Sequence, residues 1–290
     1  MHPLQRTRPK ILFTNPSDPS GEYQKEKETA SLYFPVVTSR MNIPHNSLVI
    51  GRYSVLPMYK QLEEDLECVS SKLINSYREH RYIADLKNWY QDLEKYTFPT
   101  WFRMEDVPED CGPVVLKGET NSRKDRWNTH MFAKDKKEAL EIFFKLQVDS
   151  CIGNQDICIR KYVPLVTLLE DPYGPPVTLE YRFFCAYGRI LSGAYYWSSS
   201  IDDVKDHPLL KSDKTLLEAS GFVGKILPLI SQHCNFVVVD VAKGKDGKWY
   251  VVELNDGQMS GLSENQPDIL YENLRAVVDN QILLQTPGAI

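Results

Sequence analysis

Apolar and polar positions follow two spacings in the first third of the chain, and these spacings predict alternating strands and helices. Short apolar runs from Lys10 to Asn15 and from Leu48 to Tyr53 are typical of strands. Apolar residues every third or fourth position predict helices from Pro57 to about Ser71 and from about His80 to Tyr96. This alternation favours a small α/β domain covering residues 1–95.

The same patterns continue through the rest of the chain. They predict, in order, a strand, a helix, a strand, a hairpin and two long helices: Pro113 to Lys117, Asp135 to Val148, Ile157 to Leu165, Thr178 to Ser198, Ser212 to His233, and Asp268 to Leu284. We therefore expect two further α+β units, at residues 96–163 and 164–290.

A second hairpin is predicted between Asn235 and Gly261. Two apolar runs flank Asp246-Gly247, a pair that tolerates the positive φ angles of a two-residue type I′ turn. Such a turn pairs Lys245 with Lys248, and stepping back along both strands places Asp240 opposite Glu253 and Val238 opposite Asn255.

Because side chains alternate along a strand, Asp240, Glu253 and Asn255 are expected on one face, with Val237, Val239, Val241, Tyr250, Val252 and Leu254 buried on the other. Two opposed carboxylates repel each other unless a cation lies between them. Mg²⁺ prefers oxygen ligands from one or two carboxylates plus the phosphates of a substrate. We therefore interpret these three residues as magnesium ligands; the alternative is a solvated acidic face, which the apolar flanks do not favour.

A lysine ends the predicted strand at Lys117, and a polar loop that holds Arg123 and Lys124 follows it. A fixed ammonium beside a basic loop suits a polyphosphate, because loop amides and cations can close over the phosphate oxygens. The alternative is a surface hairpin whose basic residues face water, since the loop is no Walker A motif.

The hairpin from Thr178 to Ser198 carries Glu180 and Arg182 two residues apart, so both are expected on one face. A two-residue turn at Tyr187-Gly188 places Arg182 opposite Gly193, where the missing side chain would leave room for a ligand. A structural Glu–Arg pair is the alternative interpretation.

Composition excludes several classes of protein. The 290 residues are 42% hydrophobic and 25% charged, with a net charge of −5, which argues against broad nucleic-acid binding. The six cysteines form no C-x-x-C pair, and the six histidines show no metal-ligand spacing. Without a signal-peptide core or an apolar run near 18 residues, we expect a cytoplasmic chain with no membrane contact.

Taken in order, the lysine-ended strand, basic loop, helix, I-R-K-Y-V strand, Arg-bearing hairpin and Asp…Glu-x-Asn hairpin resemble the ATP-grasp superfamily over roughly residues 95–265. The Glu-Tyr-Arg and Arg-Lys-Tyr segments are most similar to the clade named for two arginines and a lysine. They also resemble the cell-division-cycle proteins that assist assembly of a translation initiation factor.

The resemblance implies an α+β fold in which two subdomains clamp ATP, preceded by an α/β domain. It implies that Lys117 contacts the phosphates, that Arg160 to Val163 form the interdomain hinge, and that the main chain of Lys161 and Val163 contacts the adenine edge. Asp240, Glu253 and Asn255 match the magnesium ligands, and Arg182 matches an arginine that contacts the terminal phosphate or an acyl phosphate. Arg160 departs from the family, since many members carry Glu or Gln there, and the loop after Lys117 is basic rather than glycine-rich.

We therefore expect an ATP- and Mg²⁺-dependent carboxylate–amine ligase that forms an acyl phosphate on an amino acid, peptide or protein. The alternative is an ATP- and magnesium-binding assembly factor that recognises a protein partner with little ligase activity. A phosphotransferase on the same fold is a third interpretation. The sequence does not name the acid or the amine, because fold does not fix function.

Overall fold

The computed structural model describes residues 9–13, 21–53, 58–172 and 174–284. Three four-stranded sheets and one two-stranded sheet lie in this part of the chain. They follow one another along the sequence, as expected, and the predicted boundaries at residues 95 and 163 stay a prediction.

The N-terminal sheet is parallel, in the order β2-β1-β3-β4. Its strands are β1 Lys10–Phe13, β2 Val36–Val37, β3 Leu48–Arg52 and β4 Lys72–Leu73. Its helices are α1 Glu22–Tyr33, α2 Tyr59–Glu67, α3 Tyr77–Ala84 and α4 Leu86–Leu93. The predicted α/β arrangement is confirmed here; Asn15 and Pro57, the predicted end of the first strand and start of the first helix, lie outside the described residues.

The single helix predicted from His80 to Tyr96 is wrong, because the chain breaks at Asp85. This residue has extended backbone angles (φ −92°, ψ 112°) between α3 and α4. Its carboxylate accepts a hydrogen bond from Asn88 at 3.1 Å and pairs with Arg81 at 2.5 Å. Asp favours this position because its side chain bonds locally instead of continuing a helix.

The second sheet is antiparallel, in the order β5-β8-β6-β7. Its strands are β5 Thr100–Trp101, β6 Val114–Gly118, β7 Phe132–Ala133 and β8 Ile157–Lys161. Helix α5, Lys136–Gln147, packs against it and begins where Asp135 accepts a hydrogen bond from the Glu138 N–H at 2.9 Å. A 3₁₀ turn, Lys124–Arg126, and a π-helix, Trp127–Met131, join β6 to β7.

The third sheet is antiparallel, in the order β12-β11-β13-β14. The strands of this part of the chain are β9 Thr167–Leu169, β10 Val177–Thr178, β11 Glu180–Ala186, β12 Arg189–Tyr195, β13 Phe236–Lys243 and β14 Trp249–Asp256, with β9 and β10 forming the two-stranded sheet. The helices are α6 Ile201–Val204, α7 Pro208–Lys211, α8 Asp213–Ile230 and α9 Pro267–Leu284.

The two faces of this third sheet have different surroundings. One face, with Phe183 and Val239, packs on α8 and on residues of α3 and α4. The opposite face carries Phe184 and Val238, which pack on the N-terminal sheet and α9. Because side chains alternate, Arg182 and Asp240 share this second face, and the face changes along its length from apolar to charged.

The N-terminal domain holds the end of β14 through buried hydrogen bonds. The carboxylate of Asp256 accepts from the Asn75 amide at 2.9 Å and lies 3.1 Å from His80 Nδ1. One turn further on, the guanidinium of Arg52 pairs with Glu26 at 2.8 Å and donates to the carbonyl of Gly257. These contacts fix the strand end immediately after Asn255.

Candidate active site

A cleft lies between the second and third sheets and contains about 860 Å³ of space not occupied by protein atoms. This volume is within the range of small-molecule sites. Predicted site residues that line it are Lys117, Lys124, Arg160, Lys161, Val163 and Glu253. Its other walls are mainly apolar and aromatic, and include Phe98, Trp127, Met131, Tyr162, Trp197 and Val252.

The β13–β14 hairpin brings the predicted metal ligands together in the expected register. Asp240 pairs with Glu253, and Val238 pairs with Asn255. The predicted pairing of Lys245 with Lys248 is wrong: Gly244 bonds Lys248 across the turn at 2.8 Å.

The turn therefore has three residues, and its last one, Gly247, has a φ of +83°. The resulting one-residue offset is cancelled by a bulge, since Asp240 pairs with Glu253 but Val241 pairs with Val251. Beyond the bulge the faces are reversed, so Val251 lies in the core while Val252 lines the cleft. The expectation that Val252 is buried with the core face is corrected accordingly.

Each carboxylate of the hairpin has a cationic partner. Lys117 Nζ donates to Glu253 Oε2 at 3.0 Å, and Arg182 binds both oxygens of Asp240 at 2.9 and 2.7 Å. The Asn255 amide group donates to Asp240 at 3.1 Å and to Glu253 at 3.2 Å. The expectation of two uncompensated negative charges in the ligand-free protein is therefore wrong, because distant parts of the chain supply the cations.

Electrostatics keep Glu253 ionised. Burial alone would raise the pKa of Glu253, but Lys117 and Lys124 outweigh it and hold this pKa well below its usual range. Glu253 is thus a carboxylate that accepts hydrogen bonds, or binds a cation, at any physiological pH.

Arg182 lies at the inner end of the cluster, but not where the hairpin turn predicted. The two-residue turn at Tyr187 and Gly188 is confirmed, with φ angles of +49° and +74°. A bulge after Phe184 then shifts the register, so that Arg182 pairs with Ala194 instead of Gly193.

Gly193 lies opposite Phe183, and the aromatic ring fills the space beside it. A Cβ atom on Gly193 would lie 2.3 Å from Phe183 Cε1. The missing side chain therefore accommodates a core ring and leaves no room for a ligand, contrary to the sequence-based expectation.

The two basic loop residues point in different directions. Lys124 Nζ donates to the Tyr196 hydroxyl at 2.9 Å and lies 5.3 Å from the centre of the Trp197 ring, inside the cleft. Arg123 instead lies against Asp149, with its Nε 3.2 Å from the carboxylate. The structure brings Lys124 into the cluster and does not bring Arg123 there.

The hinge strand presents main-chain groups to the cleft. The Lys161 N–H donates to the carbonyl of Pro99 at 2.8 Å. In an antiparallel pair of this kind the partner would normally donate back, but proline has no N–H. Pro99 therefore leaves the Lys161 carbonyl available, next to the start of Val163.

Glu180 is a cleft residue that the sequence analysis paired with Arg182 and did not assign to the site. It is buried at the start of β11 and lines the cleft. Burial raises the pKa of Glu180 to about 7, against the influence of Lys124, and Asp240 and Glu253 raise it further. Its position two residues before Arg182 was the available signal.

The donor set at the cluster fits magnesium. Two carboxylates and one amide oxygen are hard oxygen ligands, which Mg²⁺ prefers together with phosphate oxygens. Asn255 needs only a turn of its amide to exchange nitrogen for oxygen, since both neighbours of that amide are carboxylates. Within the described ranges, no group of three or more His, Cys, Asp or Glu side chains is arranged for a metal.

A family model for the ATP-grasp domain, family 3 of the clade named for two arginines and a lysine, matches residues 105–274, more than half of the chain. The chain belongs to this ATP-grasp family. The predicted superfamily, clade and α+β fold are thereby confirmed. No curated protein matches the chain at a significant level. Among the described residues, no helix is long and apolar enough to cross a membrane.

Solved structures with the same fold include several ligases. A D-cycloserine synthetase, DcsG, is 14% identical with a TM-score of 0.58, over 93% of this chain and 99% of that one. The ATP-grasp ligase PsnB, complexed with a minimal precursor, Mg and ADP, is 11% identical with a TM-score of 0.55, over 93% and 98% of the two chains. D-alanine–D-alanine ligase from Bacillus anthracis, complexed with ATP, is 14% identical with a TM-score of 0.54, over 95% and 99%.

Proposed function

We propose that this ATP-grasp protein is an ATP-dependent carboxylate–amine ligase that works through an acyl phosphate and releases ADP. The observation that carries the proposal is the continuous cluster Lys117–Glu253–Asn255–Asp240–Arg182 beside an apolar cleft. It combines oxygen ligands for a cation with two cations suited to phosphate.

The hinge end of the cleft suits an adenine base. The available Lys161 carbonyl can accept from the adenine amino group, and the Val163 N–H can donate to the neighbouring ring nitrogen. Apolar and aromatic walls, among them Tyr162 and Met131, would cover the faces of the ring.

The cluster end suits the phosphates. Lys117 and Lys124 lie where they can exchange their present partners, Glu253 and Tyr196, for phosphate oxygens. Asp240, Glu253 and Asn255 would hold Mg²⁺, which supplies Lewis-acid stabilisation of the charge on the transferred phosphoryl group. Our proposed site therefore keeps these residues, while Arg123 has no contact that supports its inclusion.

Arg182 can stabilise the transferred group without moving. Its three observed bonds, two to Asp240 and one to the Gly261 carbonyl, leave two of its five N–H donors for a ligand. Because Asp240 fixes the guanidinium in place, these donors are already oriented when charge develops on the phosphoryl oxygens.

In the proposed reaction, a carboxylate oxygen of the substrate attacks the γ-phosphorus, and the bond to the ADP oxygen breaks. The amine then attacks the acyl carbon and loses a proton, and inorganic phosphate leaves with the bridging oxygen. Binding and orientation account for most of the catalysis, and no side-chain nucleophile is required.

An amino acid or peptide is the substrate class that we propose. The similar folds of a D-alanine–D-alanine ligase, an L-amino acid ligase from Bacillus licheniformis, and PsnB bound to precursor peptide PsnA2 support this choice. A protein carrying the reacting carboxylate or amine is included in the class.

Hydroxylamine trapping tests the proposal without knowledge of the amine. Acyl phosphates react with hydroxylamine to give hydroxamates, so pooled amino acids and short peptides should yield ADP and hydroxamates with the wild-type protein. Lys117→Ala should abolish both products, whereas Lys137→Ala, which removes an exposed lysine on α5, should not. Bound ATP with no hydroxamate from any pool would favour the assembly factor, and a stable phosphorylated acid would favour a phosphotransferase.

A further inference from the structure

Arg160 is a buried cation at the hinge whose observed partners are all neutral. Its Nη1 donates to the Val252 carbonyl at 2.6 Å, its Nη2 to Thr97 Oγ1 at 2.7 Å, and its Nε lies 3.4 Å from Thr100 Oγ1. The residue is only 5% exposed. Burial lowers the pKa of Arg160 to about 10, so the guanidinium still carries its charge at neutral pH.

The guanidinium is rigidly placed on the wall of the nucleotide cleft. It lies over the Phe98 ring at 4.8 Å, and Phe98, Val252 and Arg160 all line the cleft. Its three bonds use three of five N–H groups, one on each nitrogen, so each terminal nitrogen retains a second donor. A buried charge of this kind is expensive to maintain without a strong acceptor, and a bound ligand can supply one.

The order of groups along the hinge matches the order of atoms around a purine. With Val163 at the ring nitrogen N1 and the Lys161 carbonyl at the amino group, the next residue back along the strand is Arg160. The next polar atom around adenine is N7, which is an acceptor. Arginine donors suit this edge of a purine, as their pairing with N7 in nucleic acids shows.

We infer that Arg160 is a specificity-determining residue of the nucleotide site and donates a charged hydrogen bond to N7 of the adenine base. The inference rests on the proposed function, since it requires ATP to bind with its base at the hinge. It assigns a role in base recognition to a position where many family members carry Glu or Gln, side chains that would accept from the amino group instead.

The test compares ATP with 7-deaza-ATP, in which a C–H replaces N7. A hydrogen bond from a charged donor is worth roughly 10- to 100-fold in affinity, so wild-type protein should bind 7-deaza-ATP at least about tenfold more weakly than ATP. Arg160→Met should bind ATP about as weakly as wild type binds 7-deaza-ATP, and it should not distinguish the two nucleotides. Isothermal titration with each nucleotide and magnesium measures both ratios.

Controls separate a structural from a recognition role. Arg103→Met removes an exposed arginine of the same subdomain and should keep the wild-type ratio. Arg160→Lys, with a thermal melt to check folding, covers the case in which the methionine variant does not fold. Its shorter reach should likewise reduce the discrimination.

Each outcome bears on a definite claim. Equal wild-type affinity for ATP and 7-deaza-ATP overturns the Arg160 assignment and leaves the ligase proposal intact. A ratio that persists in both Arg160 variants assigns N7 to another residue and also overturns the inference. Binding of neither nucleotide by the wild-type protein overturns the inference together with the proposed function.

Discussion

Glu253→Gln should destabilise the ligand-free protein, because Lys117 would lose its anionic partner. Nζ and Oε2 are 3.0 Å apart, and the two side chains are only 9% and 23% exposed. Breaking a buried ion pair costs roughly 3–5 kcal/mol. Because the cleft admits water and glutamine keeps an acceptor oxygen, we expect a smaller loss of about 2 kcal/mol of unfolding free energy.

A double-mutant cycle isolates this pair. Lys117→Met removes the cation, so the double variant Lys117→Met/Glu253→Gln should recover most of the stability that Glu253→Gln loses. We expect a coupling energy of about 2 kcal/mol, measured by thermal and urea unfolding of all four proteins without nucleotide. For a chain of this size the single loss lowers the melting temperature by roughly 4–8 °C.

The same variants report on the metal site. Magnesium with a non-hydrolysable ATP analogue should stabilise wild-type protein by about 2.7 kcal/mol at a free concentration near 100 times the dissociation constant. Glu253→Gln should lose most of that gain, because a magnesium ligand is missing.

Two results would refute this reasoning. If the ligand-free Glu253→Gln protein were as stable as wild type, repulsion from Asp240 would outweigh the pair with Lys117. If the two single changes were strictly additive, the 3.0 Å contact would carry no coupling energy. An unchanged ligand-induced shift in the variant would sink the magnesium assignment.

Three further predictions follow from other parts of the site. Glu180, with its pKa raised to about 7, adds stability at low pH that is lost as pH rises through 7; Glu180→Gln should therefore gain on wild type by up to about 3 kcal/mol between pH 5 and pH 8 in urea unfolding, and a pH-independent difference would contradict this. Arg182→Lys keeps the charge beside Asp240 but loses the two-point contact, so turnover should fall roughly 10- to 100-fold while nucleotide affinity changes little; equal turnover would leave Arg182 only a structural role. Gly193→Ala should cost about 1–3 kcal/mol in thermal unfolding, because its Cβ would overlap Phe183, whereas Gly221→Ala, with open space on α8, should be neutral or stabilising.

Local patterns were sufficient to predict most of the fold. Alternation along β13 and β14 placed Asp240 opposite Glu253, and the structure confirms that pairing. The route to it was partly fortuitous, since a three-residue turn and a compensating bulge replaced the simple two-residue turn. Bulges leave no clear signal in sequence, because one extra residue changes neither the apolar character nor the length of a strand appreciably.

Partners that are distant in sequence could not be predicted. Lys117 and Glu253 are 136 positions apart, and Arg182 and Asp240 are 58 apart. Periodicity shows which face of an element is polar, but not which element lies against it. This is why the sequence suggested uncompensated carboxylates, where the fold supplies cations.

Neighbouring residues of a loop are equally hard to separate from sequence. Arg123 and Lys124 have the same charge, yet one lies against Asp149 and the other against Tyr196. Loop side chains follow no fixed period, so their directions depend on tertiary contacts.

Oxygen transfer from the acid substrate is the most direct test of the proposed ligase. Once trapping has identified the acid, its carboxylate can be labelled with ¹⁸O and the products analysed by mass spectrometry. An acyl phosphate requires one labelled oxygen in each inorganic phosphate released, with the other retained in the amide. Unlabelled phosphate released together with the amide would contradict the acyl-phosphate route and, with it, the central claim.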